Sequence, residues 1–132
     1  MTSNKLLVSE VPGDVASVVQ RLTRALGARG VTQFATIDHA GGARAAGLEL
    51  GDEVLLVFGN PAVGTALMQA DPRAGLDLPL RMLVWSQGGT TRVAYEDPFM
   101  LVDRYALAGE EPTLTKLGGL LEQLVAEAGQ ER

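Results

Sequence analysis

The sequence contains no cysteine and only one histidine among its 132 residues. Without cysteine the chain can form no disulfide, and it has no thiolate to act as a metal ligand or a nucleophile. Because a protein without disulfides fits a reducing compartment, we predict a cytoplasmic location. The chain also lacks Gly-x-x-x-x-Gly-Lys, Gly-x-Gly-x-x-Gly and Gly-x-Ser-x-Gly, the motifs of phosphate-binding loops, dinucleotide folds and serine hydrolases.

Long apolar runs are also missing. The apolar runs of the chain are short, whereas a transmembrane helix needs about 20 predominantly apolar residues. The first residues lack the apolar core and the cleavage site of a signal peptide. A hydrophobic fraction of 46% with 20% charged residues is typical of a globular protein. We therefore predict a single domain over residues 1–132 with no membrane partner.

Positive charge is in the minority. The chain has 11 basic and 16 acidic residues, which gives a net charge of −5. Nucleic-acid binding draws most of its affinity from lysine and arginine on phosphates and needs a basic patch. Arg21, Arg24 and Arg29 share the polar face of one predicted helix and have no aromatic residue beside them. We interpret them as a solvated helix face and predict no nucleic-acid partner.

The spacing of apolar residues predicts a strand, a helix, four more strands and a closing helix. Apolar residues recur at helical spacing from Val15 to Leu26 and again from Leu114 to Ala128. A short extra helix is expected after Asn60, at the end of the third strand. The expected strands are 5–9, 31–37, 53–58, 80–85 and 91–95. This β-α-β₄-α order predicts an α+β fold, with a mainly antiparallel sheet and helices packed on one face.

Several predicted strands carry apolar residues on both faces. In the fourth strand Met82 and Val84 would face one side, and Leu83 and Trp85 the other. The second face therefore needs cover, either from the short central helix or from another copy of the chain. We favour the second alternative and predict a homodimer.

A series of short motifs resembles one protein family. The motifs follow one another in order: Ile37-Asp38-His39-Ala40, Ala46-Gly47-Leu48-Glu49-Leu50, Leu56-Val57-Phe58-Gly59-Asn60-Pro61, Gly64-Thr65, Leu67-Met68-Gln69, Asp77-Leu78-Pro79-Leu80, Val84-Trp85 and Tyr95. Together they resemble DUF302, a family of prokaryotic domains of unknown function. The resemblance implies a fold of the TATA-box-binding-protein type and a homodimer. The chain departs from the family pattern at Ser86-Gln87 and at Glu96.

Asn60 leads the first candidate site. It can cap a helix that begins at Pro61, and helix N-termini present backbone N–H groups to anions. An anion would meet the N–H groups of Ala62, Val63 and Gly64 and the hydroxyl of Thr65. The alternative interpretation is a strand-to-helix turn with no ligand.

An antiparallel meander would bring two more candidate residues, Asp77 and Tyr95, to the same end of the sheet as Asn60. Asp77 could form an acid/base pair with Asp97, or it could cap the backbone near Pro79, which we favour. We predict a site for a small polar or anionic molecule, with ligand-binding residues at Asn60, Gly64, Thr65, Asp77 and Tyr95.

His39 leads the second candidate site. Beside Asp38 it could act as a general base, with a divalent ion held by Asp38 and by carboxylates such as Asp52 or Glu53. However, no second histidine is available as a ligand, and Asp38 and His39 could simply close the loop with hydrogen bonds. The meander places this group at the opposite end of the sheet from Asn60. We therefore predict a non-catalytic ligand-binding module, and keep as the alternative a small enzyme that uses His39 as its base, with metal assistance.

Overall fold

A computed structural model describes residues 6–130 as a five-stranded sheet with four helices. The strands are β1 (Leu6–Val11), β2 (Thr32–Asp38), β3 (Glu53–Gly59), β4 (Leu80–Gln87) and β5 (Thr90–Glu96). The helices are α1 (Val15–Ala28), α2 (His39–Ala45), α3 (Pro61–Ala70) and α4 (Glu111–Ala128), with 3₁₀ segments at Pro72–Leu76 and Pro98–Asp103. The sheet order is β1-β5-β4-β3-β2, and all neighbours are antiparallel. The predicted α+β fold is confirmed.

Local signals set the ends of several elements. The carboxylate of Asp14 accepts a hydrogen bond from the Ser17 N–H at 2.8 Å and so caps α1. The turn between β4 and β5 uses Gly88 and Gly89 at φ 61° and 83°, values that side chains disfavour and that match a tight hairpin. Hydrogen bonds and backbone conformations of residues close in the chain therefore set these ends.

One face of the sheet, which we call the helix face, carries the main core. Alternate side chains of β3, β4 and β5 point toward α1 and α4, and most of them lose nearly all contact with solvent. The main-core residues of these elements include Val18, Leu22, Leu56, Phe58, Met82, Val84, Val93, Leu121 and Leu124. Burial of this apolar surface supplies most of the stabilisation of the fold.

A second, smaller core lies beyond the end of the sheet. It is formed by α3, the second 3₁₀ segment, the segment that follows it, and the first half of α4: Leu67, Leu101, Leu107, Leu114 and Leu117. Leu67, the buried residue of α3, therefore packs in this cluster. The alternative expectation, that this helix covers the second face of the sheet, is wrong.

The opposite face of the sheet, which we call the outer face, remains apolar and uncovered by α1 and α4. Its apolar side chains come from all five strands: Leu6, Val8, Ala35, Ile37, Leu55, Val57, Leu83, Trp85 and Ala94. Leu6 and Val8 are 52% and 51% exposed, and Ile37 is 42% exposed. The strands thus carry apolar residues on both faces, as their sequences predict.

Close packing against the sheet is the expected reason for Gly118 and Gly119 inside α4, and the structure corrects it. A Cβ atom built on either glycine would meet no heavy atom within 4 Å. Because alanine restricts the unfolded chain and favours helix, Gly118→Ala and Gly119→Ala should each raise the free energy of unfolding by about 1 kcal/mol. Urea denaturation checks this, and a loss of stability in either variant would contradict it.

Candidate functional site

The register of the sheet places the two groups of candidate residues at opposite ends. At one end Phe58 pairs with the first residue of β4, so Asn60 lies beside the segment that leads into that strand. At the other end Asp38 pairs with Val54, so His39 lies near the start of β3. The predicted separation of Asn60 from His39 is confirmed.

A cavity of about 250 Å³, the Asn60 cavity, opens beside the first turn of α3. Three of the predicted ligand-binding residues line it: Asn60, Gly64 and Thr65. The rest of its lining is mostly apolar: Phe34, Gly59, Pro61, Met68, Gly75, Leu78, Pro79, Leu80 and Leu117. The cavity therefore combines apolar walls with a few polar groups at one end, as small-molecule sites commonly do.

Hydrogen bonds within the chain occupy much of the start of α3. The side-chain oxygen of Asn60 accepts from the Ala62 N–H at 2.9 Å, and its backbone oxygen accepts from the Gly64 N–H at 3.0 Å. The Thr65 hydroxyl donates to the Pro61 carbonyl at 2.6 Å. Two of the three N–H groups expected to face an anion are thus engaged. With its oxygen used in the cap, Asn60 has its amide NH₂ left to donate to a ligand oxygen.

The other two predicted ligand-binding residues, Asp77 and Tyr95, line a different space. This sheet groove of about 420 Å³ extends from residues of both cores at the end of the sheet onto the outer face, where Leu55, Leu83 and Trp85 line it. Its full lining is Leu6, Leu55, Asp77, Leu80, Arg81, Leu83, Trp85, Ala94, Tyr95, Glu96, Pro98, Leu101 and Leu121. The five predicted residues therefore lie at one end of the sheet, divided between two cavities that share Leu80.

Asp77 is held by two residues that sequence reasoning missed. One of its carboxylate oxygens accepts from the Tyr105 hydroxyl at 2.7 Å and from the Arg104 guanidinium at 3.0 Å. The hydrogen bond from Tyr105, followed by that from Arg104, lowers the pKa of Asp77, and the same hydrogen bond raises the pKa of Tyr105. Arg104 also contacts Glu96 at 3.4 Å. These contacts, rather than the favoured cap near Pro79, account for the Asp77 carboxylate.

The other groups proposed to act with Asp77 have structural roles. Asp97 caps the second 3₁₀ segment, where its carboxylate accepts from the Phe99 N–H at 3.0 Å. Tyr95 belongs to the main core and is 7% exposed, and this burial raises the pKa of its phenol.

Asp71 forms a second polar cluster close to this one. Its buried carboxylate accepts from the Arg73 side chain at 3.1 and 2.8 Å, from the Arg73 N–H at 3.0 Å and from the Ala106 N–H at 2.9 Å. The guanidinium of Arg73 lies 5.9 Å from the centre of the Tyr105 ring. The Arg73 N–H bond is a local cap of the first 3₁₀ segment, but nothing local signals a contact with Ala106, 35 positions away.

His39 is exposed at the first position of α2. The carboxylate of Asp38 caps this helix by accepting from the Gly41 N–H at 2.9 Å, and it lies 3.9 Å from the Arg44 guanidinium. Across residues 6–130, histidine and carboxylate side chains form no group of three or more that could hold a metal ion. The Asp38 carboxylate therefore caps α2, and it does not orient the His39 imidazole.

Comparisons with known proteins find curated relatives that are longer than this chain. A protein of Brucella suis biovar 1 named "Fluoride-specific ion channel FluC 1" is 39% identical over 103 residues, which are 77% of this chain and 41% of that protein. The Brucella melitensis biotype 1 protein named "Fluoride-specific ion channel FluC 2" is also 39% identical over 103 residues, or 38% of its length. The chain thus spans about two fifths of these relatives. Within the described part of this chain, no helix has the length and apolar character needed to cross a membrane.

A solved structure and a family model agree with the fold described above. The crystal structure of an uncharacterised conserved DUF302 protein from Bacillus stearothermophilus superposes with a TM-score of 0.75 at 20% identity and covers 96% of this chain and 97% of that one. The model of the domain of unknown function DUF302 matches residues 7–124. Because this match covers residues 7–124, which include nearly all of the sheet and most of α4, the chain belongs to the DUF302 family.

Proposed function

We propose that this protein is a cytoplasmic, non-catalytic module that binds a small molecule in the Asn60 cavity and works as a homodimer. The observation that carries the proposal is the cavity of about 250 Å³, with its apolar walls and the Asn60 amide at one end. The ligand that fits this arrangement has a hydrogen-bond-accepting or anionic head and an apolar body. This description narrows the small polar or anionic molecule predicted from the sequence.

The volume of the cavity limits the number of non-hydrogen atoms that a ligand can place in it. At the ~30 Å³ that one water molecule occupies in the liquid, 250 Å³ corresponds to about eight groups of that size. A carboxylate with a short alkyl chain matches this volume. Each methylene group that enters an apolar site contributes about 0.8 kcal/mol, or about fourfold in affinity.

Melting temperatures measured with a series of linear carboxylates, from acetate to octanoate, test the proposal. Affinity should rise about fourfold per methylene group until the cavity is filled. Fluoride, suggested by the name of the curated relatives, and phosphate serve as compact anions. If no carboxylate raises the melting temperature, or if the compact anions alone do so, the proposed ligand class is wrong.

Gly64→Ala is the variant that connects any binding to the Asn60 cavity. A Cβ at this position would lie 3.8 Å from Met68 Cε and 3.9 Å from Leu78 Cδ1, ordinary contacts that narrow the cavity. We expect a gain of about 1 kcal/mol in stability together with weaker carboxylate binding. Gly118→Ala is the matched control, since it is the same change in another helix and should leave binding intact. Equal binding by both variants would place the ligand elsewhere.

The alternative hypothesis, a small enzyme that uses His39 as its base, has less support because Asp38 caps α2 instead of orienting the imidazole. Native mass spectrometry of the purified protein separates the two hypotheses. A co-purified divalent metal that is lost in His39→Ala would favour the enzyme, whereas a co-purified organic acid would favour the binding module.

A further inference from the structure

The outer face has the character of an interface. Its apolar side chains extend across all five strands, and the residues at its edges remain about half exposed. The sheet groove of about 420 Å³ opens onto this face at Leu55, Leu83 and Trp85, and its lining also includes charged residues. Contiguous apolar surfaces of this kind mark places where a soluble chain meets a partner.

Two charged residues on this face differ from the others because they form no ion pair with a described residue. Glu53 and Arg81 form no ion pair within 4 Å in the described part of the chain, whereas Arg92 meets Glu10 at 3.6 Å and Glu96 meets Arg104 at 3.4 Å. The charge of Arg81 contributes to lowering the pKa of Asp77 without a direct contact. An acid and a base are therefore available for a partner.

The sheet register places these two charges symmetrically. Glu53 pairs with Trp85 near one end of the face, and Arg81 pairs with Val57 near the other. Leu55 and its partner Leu83 lie midway between these levels. At ~3.4 Å per residue, the two levels are about 14 Å apart along the strands. A surface with opposite charges at equal distances from an apolar centre can be complementary to itself.

We propose that two copies of the chain pack outer face to outer face about a two-fold axis near Leu55 and Leu83. The axis runs across the strands, so it reverses their direction and keeps β3 and β4 over the same strands of the other copy. Glu53 then meets Arg81 of the partner subunit, and the symmetry repeats this contact. Arg81 of the partner subunit also lies over the indole ring of Trp85, a favourable arrangement for a cation.

The placement of Glu53 and Arg81 favours a second copy over an unrelated protein, because the same surface turned over on itself brings each of these charges to its opposite. The net charge of −5 on each chain opposes association of two copies elsewhere on the surface. Reciprocal ion pairs overcome this repulsion locally and fix the relative orientation of the copies. This inference rests on the homodimer of the proposed function and adds the surface and the residues that form it.

Reversal and exchange of the two charges test the contact. In sedimentation experiments on the whole chain, Arg81→Glu and Glu53→Arg should each weaken the dimer by about tenfold or more. The double variant, which exchanges the charges, should recover most of the loss. Arg24→Glu, on the polar face of α1, is the matched control and should leave the dimer intact. Trp85 is the only tryptophan, so its emission should shift to shorter wavelength when the dimer forms.

The outcomes separate this inference from the proposed homodimer. A wild-type chain that stays monomeric at high concentration overturns both. A wild-type dimer that tolerates both single reversals, or a double variant no better than the single ones, overturns the Glu53–Arg81 contact and leaves a dimer through another surface. Circular dichroism melting of each variant shows whether a loss of dimer reflects unfolding.

Discussion

Replacement of Phe58 by alanine is expected to lower the free energy of unfolding by about 3–5 kcal/mol. Phe58 lies on the helix face of β3 with none of its surface exposed, and it belongs to the main core formed with α1 and α4. Its removal forfeits a large apolar burial and leaves a cavity that neighbouring side chains fill only in part. For a domain whose whole stability is about 5–15 kcal/mol, this is a severe loss.

Urea unfolding at low protein concentration measures the Phe58 effect, and Val57→Ala is its control. Val57 is the preceding residue of the same strand, but its side chain lies on the outer face and is half-buried. Its truncation should cost clearly less in the dissociated chain. Equal losses for the two variants would mean that the two faces of the sheet are covered to the same extent.

Asp71→Asn is expected to lower the melting temperature by several degrees at neutral pH. Asparagine keeps the size of the side chain but removes the charge that four hydrogen bonds now meet. The paired donors from Arg73, followed by the Ala106 N–H, hold the pKa of Asp71 far below its usual range. The ionised carboxylate joins the first 3₁₀ segment to the segment before α4, so its loss should loosen that end of the sheet.

The stabilisation that Asp71 provides should depend on pH with a definite sign. Because the pKa is lower in the folded chain, the contribution is complete well above the unfolded value of about 3.9 and declines as the pH falls through it toward the folded value. The difference in melting temperature between wild type and Asp71→Asn should therefore shrink below about pH 5. Asp103→Asn, at an exposed aspartate, is the control. A difference that stays constant or grows in acid would contradict this role.

The positions of the candidate residues follow from the sequence more readily than the identity of their partners. Asn60, Asp77 and Tyr95 are expected at one end of the sheet, because antiparallel pairing follows from the order of the strands. The contacts of Asp77 are not predictable in this way, since Arg104 and Tyr105 are 27 and 28 positions away. A charged or hydroxyl side chain in a loop carries no local signal of which distant group it will meet.

The sequence alone determines four features of the protein. They are the order of elements, the caps of α1 and α3, the hairpin turn, and the presence of apolar residues on both faces of the sheet. Each depends on spacing or on hydrogen bonds between residues close in the chain. Tertiary structure alone decided that α3 packs beyond the sheet, that the outer face stays uncovered, and that the five predicted ligand residues divide between two cavities. Those outcomes depend on how side chains from separate elements fill space together, and on contacts between residues that are remote in sequence.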